Sequence, residues 1–135
     1  MASYTIVGQR PDIEIVGGTK TRDVQVIEVV TNAHGVYFET SLPRALATTE
    51  NIRNQVNGYT IIYEMLYTIP GVADVQWTQE PTAGGLLADH VIVYVTSDSG
   101  DSEGVLDFPF SQFNQDVIAP RVAKLVASLN ATEAS

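Results

Sequence analysis

The sequence predicts an α+β fold: an antiparallel sheet of about five strands, both helices on one face, and an extended N-terminal arm or small hairpin. Three observations carry that expectation. Alternating, β-branched stretches come in pairs separated by loops too short for a crossover, so neighbouring strands must run antiparallel. Two other stretches carry apolar residues at helical spacing. The resulting order of two strands, helix, three strands, helix lets both helices cover the same side of the sheet.

Tyr4 to Val7 and Asp12 to Val16 are short apolar stretches around Gly8-Gln9-Arg10-Pro11, and Gly17-Gly18 marks a turn. Residues 1–18 therefore read as a small hairpin or as an arm that reaches a neighbouring subunit. Val24 to Val30 is β-branched on both alternating faces, the pattern of a strand covered on both sides. After the turn-rich Thr31-Asn32-Ala33-His34-Gly35, Val36 to Leu42 alternates, with Val36, Phe38 and Leu42 inward. Thr49 is placed to cap a helix, and Glu50 suits its first turn. Ile52, Val56, Tyr59, Tyr63 and Leu66 form the helix stripe, broadened by Ile62 and Met65, and Pro70-Gly71 stops it. Gly58 inside this helix costs about 1 kcal/mol relative to alanine unless another backbone packs there.

Asp74 to Gln79 and Asp89 to Thr96 form a second hairpin around Glu80-Pro81-Thr82-Ala83-Gly84-Gly85. Val105 to Phe110 offers a further strand, which Pro109 makes an edge strand or a strand end. Ile118, Val122, Leu125, Val126 and Leu129 return to helical spacing, so a helix is expected from about Pro120 to Asn130. At 135 residues the chain reads as one domain, with 1–18 as arm or hairpin, 19–130 as α+β core and 131–135 as a frayed tail. No internal repeat and no low-complexity segment stands out in the letters.

The net charge of −9 lies entirely in one half of the chain. From Asn54 to Pro120 there is no Lys or Arg, while Glu64, Asp74, Glu80, Asp89, Asp98, Asp101, Glu103, Asp107 and Asp116 fall there. Elsewhere seven acids meet seven bases. Such a field repels nucleic acid and anionic membranes and favours cationic partners or metal ions. Charged residues make up only 17 % of the chain, so neutral surface is plentiful and leans towards burial against copies or partners. Cysteine is absent, which excludes disulfides and thiolate chemistry. Met1-Ala2-Ser3-Tyr4-Thr5 lacks the regions of a signal peptide, so the expectation is a chain made in a cytoplasm and used or assembled there.

Few residues offer chemistry. Asp98, Asp101 and Glu103 are the candidate Ca²⁺ ligands, although their spacing is not that of an EF-hand and a solvated loop explains the same letters. His34 and His90 have no second histidine or cysteine at ligand spacing, so no zinc site is expected. His90 with Asp89 and Tyr94 serves acid–base work only if a cleft holds them together. Neither a nucleophile elbow nor a phosphate-cradling loop is present. The aromatic residues are not interleaved with bases, which disfavours nucleic-acid readout. The reading is a protein with no catalytic residues and no cofactor.

Several runs resemble small virion proteins of tailed bacteriophages that infect actinobacteria. They are Tyr4-Thr5-Ile6-Val7-Gly8-Gln9-Arg10, His34-Gly35-Val36-Tyr37-Phe38 leading into Leu42-Pro43-Arg44, Pro70-Gly71-Val72-Ala73-Asp74-Val75, and Val93-Tyr94-Val95-Thr96-Ser97 with Ser99-Gly100-Asp101-Ser102. The resemblance implies a non-enzymatic structural protein located in the virion and assembled in the host cytoplasm. Its partners would be copies of itself and other virion proteins, without specific nucleic-acid or membrane binding. Tail or neck is favoured over head decoration, since an acidic conduit lets DNA slide without sticking. The expected contact residues are Tyr4, Ile6, Val7, Ile13 and Ile15 in the arm and Leu86 and Leu87 in the loop Glu80 to Leu87, with the acidic loop Asp98 to Glu103 beside them. Two alternatives stay open: a small enzyme or ligand-binding domain with a cleft between the sheet and the second helix, and a Ca²⁺-stabilised surface module.

Overall fold

Among the described residues, six strands and two helices follow one another in a pattern that occurs twice. A computed structural model of the chain describes residues 3–16, 18, 20–83, 86–112 and 114–135. Ala2, Gly17 and Gly84-Gly85, read above as parts of the arm and of turn tips, lie outside the described residues. The elements are β1 (Tyr4–Val16), β2 (Lys20–Thr31), β3 (Tyr37–Pro43), α1 (Thr49–Leu66), β4 (Val72–Pro81), β5 (Leu87–Thr96), β6 (Glu103–Pro109) and α2 (Gln115–Ala134). The chain divides into two compact units, Met1–Glu64 and Met65–Ser135. Each unit holds one three-stranded antiparallel sheet, in the order β1-β2-β3 or β4-β5-β6. The α+β class and the antiparallel hairpins stand as expected, whereas the single sheet of about five strands does not.

In the first unit β2 is the central strand, and residues on both of its faces are buried, as the run of β-branched residues requires: Val24 and Val26 on one side, Ile27 and Val29 on the other. Phe38 stands opposite Val29 and meets α1 through Tyr63, stacked at 4.9 Å, and Tyr59, edge-on at 6.1 Å. The Gln55 amide also reaches from α1 to the Thr40 hydroxyl. The apolar stripe of α1 therefore lies on this sheet. Its cap is Thr48, one residue before the Thr49 expected from sequence: the Thr48 hydroxyl accepts from the Asn51 N–H at 3.2 Å. Gly58 has open space where a Cβ would sit. Gly58→Ala should accordingly stabilise the protein by about 0.5–1 kcal/mol, read as a higher denaturant midpoint.

In the second unit Val91, Val93 and Val95 of β5 form the buried row, flanked by Val75 of β4 and Phe108 of β6. Each such side chain contributes roughly 1.5–3 kcal/mol by leaving water. Helix α2 lies across this row and buries Ile118 and Val122. It approaches closely because Gly104 leaves room for Leu125 and Gly71 for Val126. Arg121 covers the Phe108 ring, with its guanidinium carbon 4.6 Å from the ring centre. Pro109 ends β6, which is an edge strand, the kind of position at which a sheet tolerates proline.

Three boundaries differ from the sequence expectations. The described part of the segment 1–18 is neither a self-contained hairpin nor a free arm: β1 pairs with β2 along its whole length, from Tyr4↔Thr31 to Val16↔Lys20. A bulge at Val7 takes up the glycine-rich break, and Pro11 is tolerated because β1 is an edge. Helix α2 starts five residues before Pro120, capped by the Asn114 side chain accepting from the Asp116 N–H. Pro120 is exposed there, so the carbonyl it leaves without a helical donor faces water. The tail does not fray at Ala131. Residues Ala131 to Ala134 are helical, held by Glu133 contacts described below.

The two units repeat the same order of strand, strand, strand, 3₁₀ turn and helix. The third strand ends at Pro43 and again at Pro109, the 3₁₀ turn spans Arg44–Leu46 and Phe110–Gln112, and the helix begins at Thr49 and Gln115. All three landmarks recur 66 positions on. Ile52 and Val56 of α1 correspond to Ile118 and Val122 of α2, and all four are buried. Thr31 and Ser97 correspond as well. Each is buried, and each hydroxyl accepts from the N–H that closes the following loop, Val36 at 3.0 Å and Ser102 at 3.2 Å.

Candidate functional site

The residues expected to make contacts lie at uncovered hairpin ends. β3 pairs with β2 only over residues 24–30, so the outer rungs of the β1–β2 hairpin, Ile13↔Asp23 to Val16↔Lys20, form a two-stranded ribbon among the described residues. Ile13 and Ile15 share one face of that ribbon and are exposed, Ile13 by 62 %. Ile6 is partly exposed and Val7, at the bulge, is more so, whereas Tyr4 is half-buried. The second unit repeats the arrangement: the last rung of β4–β5 is Pro81↔Leu87, and Leu86 and Leu87 are exposed.

The acidic loop is organised by α2 instead of gathering its own carboxylates. Glu133, in the last turn of α2, accepts the hydroxyls of Ser97 (2.7 Å), Ser99 (2.9 Å) and Ser102 (2.7 Å). Asn130 accepts from the Asp98 N–H and donates to the Asp98 carboxylate, both at 2.9 Å. A carboxylate at a helix C-terminus is opposed by the helix dipole, and the serine hydroxyls offset this. They hold the Glu133 carboxyl below its ordinary pKa. Asp98 is thus bonded to α2, and the Asp98, Asp101 and Glu103 carboxylates do not converge with a third donor among the described residues.

A depressed folded-state pKa stabilises the protein above the unfolded carboxylate value and is lost as pH falls through the folded value. Glu133→Ala should therefore lower Tm at neutral pH. The gap to wild type should close as pH is taken below the ordinary carboxylate range, because the wild-type carboxylate is then protonated too. Thermal melts from pH 7 to pH 3 check this; a gap that stays constant with pH would contradict it.

The first unit builds the same clasp with different letters. Glu64 near the end of α1 takes a hydrogen bond from the Thr31 hydroxyl and pairs with His34 in the β2–β3 loop. Burial opposes ionisation of Glu64, but Thr31 and His34 outweigh it and hold the carboxyl low. His34 thus serves as a loop-to-helix tie. On the outer face of the same sheet Arg10 bridges Glu28 (2.8 Å) and Glu39 (2.7 Å). Partial burial and the hydrogen bond to Glu39 push the Tyr37 hydroxyl up to about 12.

His90 is not paired with Asp89. Consecutive strand residues point to opposite faces, and Asp89 turns inward to accept from the Gln79 amide at 3.1 Å. Tyr94 shares the outer face with His90, but its hydroxyl bonds Gln76. The acid–base trio weighed from sequence does not form. Instead, His90 Nδ1 lies 2.5 Å from Glu80 Oε2 and 2.7 Å from Asp107 Oδ1. The three side chains come from β4, β5 and β6, and their ligand atoms lie within 4.8 Å of one another. Asp107, first by hydrogen bonding and then by like charge, pushes the Glu80 carboxyl up, and desolvation adds to it.

Sequence spacing missed this cluster because its members are 10 and 17 residues apart from His90 (Glu80 and Asp107). Strand parity reveals it. Thr78 faces His90 and Ile92 faces Asp107, so Glu80, His90 and Asp107 are diagonal neighbours on one face. No helix among the described residues is long and apolar enough to cross a membrane. In comparisons with known proteins, the chain matches no family model, no curated relative and no solved structure.

Proposed function

We propose that this chain is a non-enzymatic structural or assembly protein of a tailed-phage virion, located in the virion, which associates with copies of itself and docks on other virion proteins. The observation that carries the reading is the β1–β2 hairpin end, a two-stranded ribbon with Ile13 and Ile15 uncovered on one face. A two-stranded ribbon is marginal in water without a third strand or a packed face. β1 is also a 13-residue edge strand, long for an exposed edge. A second copy of the chain is the occupant that fits both features. Antiparallel pairing of β1 with its own copy extends the sheet across a two-fold axis and brings the isoleucines of both ribbons together.

Leu86 and Leu87, at the corresponding place in the second unit, supply a second contact and so allow growth beyond a dimer. A tail or neck position suits the acidic second unit, which resists sticking to passing DNA. Negative-stain microscopy of the purified chain tests the reading. Rings, tubes or copies bound to assembled particles are expected; a strict monomer that ignores particles at every concentration would contradict it.

A further inference from the structure

We propose that Glu80, His90 and Asp107 form a binding site for one first-row divalent cation of the Zn²⁺ or Mn²⁺ class. The argument rests on geometry, on charge, and on comparison of the two units, and is independent of any role in a virion. One imidazole nitrogen and two carboxylate oxygens make a mixed N/O set, which suits these borderline cations better than the all-oxygen preference of Ca²⁺ or Mg²⁺. Ligands held at about 2.0–2.2 Å from a shared ion stand ~3–4 Å apart. The three donors, within 4.8 Å of one another, are near that arrangement already. Each sits on a paired strand, so the backbone holds the set in place.

Among the described residues no Lys or Arg forms an ion pair with the cluster. Two carboxylates approach one imidazole, and from Asn54 to Pro120 there is no Lys or Arg. The nearest bases in sequence, Arg121 and Lys124, belong to α2, and Arg121 lies over Phe108 on the opposite, inner face. Glu80 Oε2, the atom turned towards His90, is closed to solvent and faces His90 Nδ1 at 2.5 Å, although the rest of the side chain is partly exposed.

The first unit shows how the fold neutralises the same acid by other means. Glu14 occupies the place of Glu80, and its cross-strand neighbour Arg22 pairs with it at 2.6 Å. In the second unit the residue opposite Glu80 is Ala88. The places of His90 and Asp107 are taken in the first unit by Val24 and Ser41. One copy thus carries a built-in arginine, and the other carries two extra metal-binding side chains and no base. Neutral imidazole is the ligand form.

Titration calorimetry of the full chain, stripped with EDTA, with ZnCl₂ and separately MnCl₂ tests the site. One ion per chain is expected, with Glu80→Gln, His90→Gln and Asp107→Asn each weakening Zn²⁺ binding by at least ~10-fold. Asp101→Asn, in the acidic loop, should bind as wild type does. CaCl₂ at the same concentration should give no comparable heat. As a readout that needs no variant, Mn²⁺ should broaden the imidazole NMR signals of His90 more strongly than those of His34. No saturable binding, undiminished binding in the three variants, loss of binding in Asp101→Asn, tighter binding of Ca²⁺ than of Zn²⁺, or broadening centred on His34 would each overturn the proposal.

Discussion

Phe38→Ala is expected to reduce stability by about 3–5 kcal/mol. Phe38 is almost completely buried between the sheet and α1. It stacks on Tyr63, meets Tyr59 edge-on, and stands opposite Val29, itself fully buried. Removing the ring deletes its transfer free energy and leaves a cavity that strand and helix backbones, each hydrogen-bonded in place, cannot close. The aromatic pairings add about 0.5–1.5 kcal/mol beyond area alone. Chemical denaturation should show the loss as a lower midpoint at nearly unchanged slope. Phe38→Leu, which keeps most of the volume, should recover much of it. A Phe38→Ala loss under about 1 kcal/mol would mean that α1 is not seated on Phe38.

Gly71→Ala should be the most damaging small-to-large change in the second unit. Gly71 has φ +97°, a left-handed conformation that opposes a Cβ by about 1–2 kcal/mol. A Cβ there would also sit 2.5 Å from Val126 Cγ2 and 3.7 Å from Val122 Cγ1, so the Val126 side chain or α2 must shift. Overpacking of this kind costs about 1–3 kcal/mol, giving roughly 2–5 kcal/mol in all. The Gly71 carbonyl accepts from the Thr96 N–H at 2.9 Å, so the residue cannot easily swing away. For a chain of this size each kcal/mol moves Tm by roughly 3–6 °C, so the melt should fall by ~6 °C or more. The contrast with Gly58→Ala, expected to raise stability, is the sharper test. The same substitution has opposite signs because one glycine lies against a helix and the other faces open space.

The strands and helices were legible in the sequence wherever one face meets the core. Val36, Phe38, Tyr63, Val93 and Val95 are buried as alternation and helical spacing require. Legibility failed where pairing, and not burial, decides the structure. β1 carries Arg10, Asp12 and Glu14 between its apolar residues and is exposed on both faces for much of its length, so its periodicity breaks although its ladder to β2 is continuous. That break hid the sixth strand and, with it, the division into two three-stranded sheets. The repeat was hidden because the units keep roles and change residues. Thr31 and Ser97 share a hydroxyl, whereas Glu64 and Asn130 tie their loops with different chemistry.

The candidate sites divide in the same way. Exposed apolar residues at Ile13, Ile15, Leu86 and Leu87 follow from local composition, because turn signals place them at loop ends. The Glu80–His90–Asp107 cluster depends on the register of two hairpins at once, and a register error of one residue would send His90 to the other face. Asp98, Asp101 and Glu103 are close in sequence, yet the loop spends its polar groups on closing itself against α2.

Self-association through the uncovered β1–β2 hairpin end is the claim on which the functional account turns. Sedimentation velocity of the wild-type chain and of an Ile13→Lys/Ile15→Lys variant, across a hundredfold concentration range, tests it most directly. The account predicts an oligomer for wild type, and a monomer with an unchanged circular dichroism spectrum for the variant. A wild-type chain that sediments as a monomer throughout, or a variant that assembles as wild type does, would contradict it.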